Sequence, residues 1–105
     1  MRKLIIATLA ALMPVCVHAA DKHDRIATLI AGTDGLTRQT AFKVKSVDEE
    51  YQVLAALGLK AEQQDLIMGD DGHPYDMLTA VDPRTGAKRE VWFDIKSFFG
   101  KELGF

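Results

Sequence analysis

The segment Asp82-Pro83-Arg84-Thr85-Gly86 limits the folds open to this chain more than any other stretch. Asp82 can accept hydrogen bonds from turn amides, Pro83 presets its own backbone angle, and Gly86 tolerates the left-handed conformation that ends such a turn. Tyr75 to Asp82 before it and Ala87 to Ile95 after it are both strand-like. The whole unit therefore reads as a β-hairpin. With a loop of Pro83 to Gly86, Asp82 faces Ala87, and the pairing runs back through Leu78–Val91 and Asp76–Phe93. Side chains alternate across a strand, so this register sorts the residues into two faces. Leu78, Ala80, Val91, Phe93 and Ile95 share one and form the expected core. Tyr75, Met77, Val81 and Trp92 share the other, among Lys88, Glu90 and Asp94. A loop one residue longer or shorter would exchange these partners.

The rest of the chain supplies helices and further strands. Asp21 to Ala31 reads as a short helix with Ile26, Leu29 and Ile30 on one stripe and Gly32 as its stop. Residues 33–40 are polar and turn-rich, and Ala41 to Lys45 alternates as a half-buried strand does. Ser46 with Glu49 forms a capping box. Asp48, Glu49 and Glu50 place negative charge in the first turn, where the helix dipole favours it. Val47, Tyr51, Leu54 and Ala55 are expected on the apolar face of this main helix, widened by Val53 and Leu57. Gly58 suits a left-handed stop, with Leu59 folding back on the last turn. Lys60 to Met68 reads as a strand, Gly69 to Pro74 as a reversal, and Ser97-Phe98-Phe99-Gly100 closes the chain with aromatic bulk. The expected class is α+β: an antiparallel sheet of about four strands with one main helix packed on one face, plus the short N-terminal helix. A parallel sheet is disfavoured on the ground that no second crossover helix is available.

Residues 1–19 carry the pattern of an export signal. Arg2 and Lys3 are basic, Leu4 to Val17 is apolar and uncharged, and Val17-His18-Ala19 presents small residues where a signal peptidase cuts, giving cleavage after Ala19. The apolar run is shorter than the roughly 20 residues of a spanning helix, and Pro14 interrupts it, which disfavours an uncleaved anchor. Val15 before Cys16 disfavours lipid attachment. The expected mature protein is one domain over residues 20–105, working in the periplasm. It lacks cysteine, because Cys16 is the only one in the chain, so its stability must come from the core without disulfides. Removing Arg2 and Lys3 from 13 basic residues leaves 11 against 15 acidic, a net of −4. That balance gives no reason to expect nucleic acid or an anionic membrane as partner.

Several segments together carry a family resemblance. Leu36-Thr37-Arg38-Gln39-Thr40-Ala41-Phe42 through Asp48-Glu49-Glu50-Tyr51 resembles a family of small, uncharacterised exported bacterial proteins. So do His73-Pro74-Tyr75-Asp76, Asp82-Pro83-Arg84-Thr85-Gly86 and Trp92-Phe93-Asp94-Ile95-Lys96-Ser97-Phe98-Phe99-Gly100. The resemblance spans nearly all of residues 20–105 and implies no activity or site. A helix followed by antiparallel strands is also similar to the layout of cystatin-like folds, a likeness of architecture alone.

Chemistry-bearing clusters are few. Asp70-Asp71-Gly72-His73 with Asp76 matches no established calcium or zinc loop, and Asp beside Gly is ordinary turn chemistry, so no metal site is assigned. His23 and His73 lie far apart with no third partner, which leaves no catalytic set and implies no cofactor. Tyr75, Met77 and Trp92 are of the types that anchor interfaces. The competing expectation is that the N-terminal helix or the C-terminal aromatics cover them. The favoured reading is a non-enzymatic module that binds a periplasmic protein or a small ligand through the sheet face or an open edge. The alternatives are a small inhibitor or immunity-type protein, and a hydrolase-like enzyme using the acidic turn.

Overall fold

The computed structural model describes residues 21–101. The proposed leader, its cleavage point at Ala19 and the last four residues lie outside the described residues. The elements run α1 (Asp21–Gly32), a 3-10 turn (Arg38–Thr40), β1 (Phe42–Lys43), α2 (Val47–Ala56), β2 (Lys60–Met68), β3 (Pro74–Val81) and β4 (Lys88–Asp94). Among the described residues the class is α+β, with two α-helices and four strands in the spatial order β1-β4-β3-β2. No helix among the described residues is long and apolar enough to cross a membrane.

The hairpin forms as its turn chemistry dictates. Asp82 Oδ1 accepts from the Arg84 amide at 2.8 Å, the Asp82 and Ala87 backbones bond at 2.8 Å, and Gly86 sits at φ 80°. β3 and β4 pair antiparallel through Asp76–Phe93, Met77–Trp92 and Leu78–Val91. Burial alternates strictly along β3, with Pro74, Asp76, Leu78 and Ala80 buried and the residues between them half-exposed.

The sheet is mixed, and the expectation of a purely antiparallel one is corrected here. β1 lies parallel to β4, with Phe42 opposite Phe93 and Lys43 opposite Asp94. Because β4, β3 and β2 alternate in direction, β2 runs the same way as β1. The connection between them is α2, which carries the chain from one sheet edge to the other. One helix thus serves both as the cover of the sheet and as the crossover that parallel strands require. A second helix is not needed.

Ser46 caps α2 by accepting from the Glu49 amide at 3.1 Å. Glu49 does not close the box on Ser46. Its Oε1 accepts from the Lys45 amide at 2.8 Å, and its carboxylate takes Arg25 Nε and Nη2 from α1 at 2.8 and 3.1 Å. Gly58 ends the helix at φ 77°, and the Leu59 amide returns to the Leu54 carbonyl at 2.9 Å, the pairing of a left-handed helix stop. The buried face of α2 carries Glu50, Val53 and Leu54. It is rotated from the expected face, since Val47 and Tyr51 are 37% and 46% exposed. Val53 and Leu54 join Ile26, Phe42, Val44, Leu78, Ala80, Val91, Phe93, Ile95 and Phe98 in the core. α1, α2 and the C-terminal aromatics therefore all pack against the face of the hairpin that bears Leu78 and Phe93.

Candidate functional site

The other sheet face holds the three residues singled out in the sequence. Strand alternation puts Tyr75 and Met77 on it from β3 and Trp92 from β4, and Met77 and Trp92 are direct cross-strand partners. All three are half-buried. The Tyr75 and Trp92 rings meet edge to face, with centroids 6.1 Å apart and planes at 74°, the arrangement that aromatic quadrupoles favour. Neither α1 nor the Phe98–Phe99 segment covers them, because both belong to the core of the opposite face.

Two further side chains complete the cluster. Arg38, from the 3-10 turn, holds its guanidinium 5.5 Å from the Tyr75 centroid and 5.8 Å from that of Trp92. A cation over aromatic faces at this range is attracted electrostatically. On the far side of Tyr75, the His73 imidazole stacks at 4.8 Å and 24°, and its Nε2 approaches Asp94 Oδ1 at 2.8 Å. The surface thus runs Arg38, Trp92, Tyr75, His73 and Asp94, with Met77 beside the aromatic pair.

Backbone bonds lock this row. The Trp92 amide donates to the Gly35 carbonyl at 2.8 Å, and the Gly35 amide donates to the Thr40 carbonyl at 3.0 Å. Thr37 and Thr40 exchange reciprocal caps around the 3-10 turn, which fixes the base of Arg38. Arg89 Nη2 donates to the Asp34 carbonyl at 2.8 Å, tying the same loop to β4. Asp71 Oδ1 accepts from the His73 amide at 3.0 Å, and that bond holds the Asp71 carboxyl below the usual aspartate range.

The acidic turn does not converge into a site. Asp76 is buried on the core face and accepts from Gln64 Nε2 at 3.0 Å, whereas the His73 ring lies on the aromatic face. No group of three or more potential metal ligands lies together among the described residues. Ser97 shares a shallow cleft with His73 and Asp94, but its hydroxyl donates to the Val44 carbonyl at 3.0 Å. The aromatic row offers stacking, cation–π and hydrogen-bonding contacts, which are means of recognition.

Sequence reasoning grouped Tyr75, Met77 and Trp92 and set Asp94 on the same face, but it left out Arg38 and His73. A signal existed for His73, which precedes Tyr75 by two and so shares its face. Arg38 gave none, because it reaches the sheet through a loop.

A comparison with curated proteins and with solved structures finds no match in either. A family model matches residues 12–102, almost the whole chain. The chain belongs to the family described as a domain of unknown function, DUF4919.

Proposed function

We propose that the protein is an exported, periplasmic, non-enzymatic binding module that recognises a protein or small ligand through the face bearing Tyr75, Met77 and Trp92. Export rests on the basic, apolar and small-residue order of residues 1–19. Recognition rests on one observation: a contiguous Arg38–Trp92–Tyr75–His73 row is left half-open on a sheet whose helices all pack on its other side. Rigid aromatics with polar edges give large contact area at low cost in side-chain entropy, and alanine in their place weakens binding by about 2 kcal/mol or more. That is a loss of affinity of roughly 30-fold.

The test uses protein secreted from the full chain. N-terminal sequencing of the periplasmic form is expected to begin at Ala20, and an intact Met1 in a membrane fraction would overturn the export reading. Trp92→Ala is expected to abolish capture of periplasmic partners while its denaturant midpoint stays near that of wild type. A large loss of stability with capture unchanged would show that Trp92 serves packing instead.

A further inference from the structure

Among the described residues, β2 is an open edge of the sheet. It lies outermost in the order β1-β4-β3-β2, and a register irregularity between Ala61 and Gln63 bends its first part. The regular portion is Gln63 to Met68. Its hydrogen-bond phase follows from the turn beyond it. The Gly69 amide bonds the His73 carbonyl at 2.8 Å, and Met68 stands opposite Pro74, which has no N–H to give. Antiparallel pairs alternate between bonded and non-bonded. Gln63, Asp65 and Ile67 therefore bond to β3, and Gln64, Leu66 and Met68 turn their backbone N–H and C=O groups toward the open edge.

The same alternation sets the side chains. Leu66 is 51% and Met68 49% exposed, both on the α2 side of the sheet, where the helix stops short of the edge. Val47 and Tyr51 of α2 are exposed as well. Between α2, β2 and the C-terminal turn lies a cavity of about 150 Å³, lined by Val47, Gln64, Leu66, Phe98 and Phe99 among others.

We infer that the partner of this edge is a second copy of the chain, joined antiparallel about Leu66 into one eight-stranded sheet. Pairing centred on Leu66 sets Leu66 against Leu66, Gln64 against Met68 and Asp65 against Ile67. All three outward-facing backbones of each copy are then satisfied by about six interchain bonds. Met68 of each copy stands beside the other's Gln64, at the rim of the cavity, and methionine is the side chain that best fills irregular apolar gaps. Two neighbouring registers fit less well. Centring on Asp65 would oppose two aspartates, and centring on Gln64 would set Leu66 against Glu62 in the bent segment. An isologous contact of this kind is self-complementary by symmetry. This inference is independent of the Trp92 face, which lies on the other side of the sheet.

Sedimentation velocity on protein purified from the full chain tests it, from about 1 to 300 µM, a range chosen to span micromolar self-association. Wild type is expected to shift to twice the monomer mass with rising concentration. Leu66→Lys removes the central contact. Met68→Pro removes an edge N–H without costing a bond to β3, as edge strands allow. Both are expected to remain monomeric and folded by circular dichroism, while Trp92→Ala dimerises like wild type. A wild type monomeric throughout would overturn the inference, even if an extended peptide bound the edge. So would a dimer that survives both β2 variants, or one lost on Trp92→Ala.

Discussion

Gly35→Ala separates two costs that usually arrive together. Gly35 is buried at φ +65°, and a Cβ built on it lies 2.6 Å from Phe42 Cδ2 and nearer still to Cε2. The left-handed backbone alone costs a non-glycine residue about 1–2 kcal/mol. The overlap falls on a ring held in the core, 1% exposed and packed 5.8 Å from the Phe93 centroid. It has no free direction in which to yield, and overpacking of this kind costs a further ~1–3 kcal/mol. The sum is about 2–5 kcal/mol, a large fraction of the stability of a small domain. Gly86→Ala is the internal control, because Gly86 sits at φ +80° with nothing within 4 Å, so only the backbone cost of about 1–2 kcal/mol applies. Urea unfolding followed by circular dichroism and by the emission of the chain's single tryptophan measures both. Equal losses for the two variants would refute the steric argument and with it the placement of Phe42 against the loop.

Ser46→Ala is expected to cost about 1 kcal/mol by removing the cap on the Glu49 amide, seen as a lower urea midpoint. Glu49 titrates below the ordinary glutamate value, chiefly because Arg25 hydrogen-bonds its carboxylate and further because the Lys45 amide does, against the opposing effect of burial. A depressed folded value means its contribution is complete above the unfolded value and is lost as pH falls through the folded one. Glu49→Gln is therefore expected to destabilise the protein near neutrality and to flatten the acid limb of stability against pH, measured by urea midpoints from neutral pH downward. An unchanged acid limb would remove the Arg25–Glu49 pair from that account.

Legibility in the sequence followed the range of the interaction. The hairpin register was readable because a five-residue turn with a fixed shape sets it, and a period of two then assigns every side chain along β3 and β4. β2 was readable to the residue because turns bound it on both sides. β1 was hidden as a parallel strand: it is two residues long, and its partner lies some fifty residues onward. The orientation of α2 was misread because its apolar face was drawn through Val47 and Tyr51, whereas Glu50 is wholly buried beside Val53 and Leu54. Periodicity shows that a helix has a favoured side, but the neighbours decide which residue stands at its centre. At the candidate site, residues on the hairpin could be grouped from local pattern. Arg38 could not, since only the fold of the 33–41 loop brings it there.

The two borders of the sheet differ in their capacity to bind more chain, and that difference fixes the stoichiometry of any growth. On the β1 side several main-chain groups are already bonded within the molecule. Gly35 takes the Trp92 amide, Arg25 takes the Lys43 carbonyl at 3.2 Å, and Thr33 takes the Thr40 carbonyl at 2.7 Å. Among the described residues, the β2 side offers a run of donors and acceptors turned outward. A unit with sticky ends at both borders polymerises by repeated addition, whereas a unit with one such end is monovalent. Two units joined through β2, as inferred above, would each use up that edge, so edge-on assembly would end at the pair instead of propagating into fibrils.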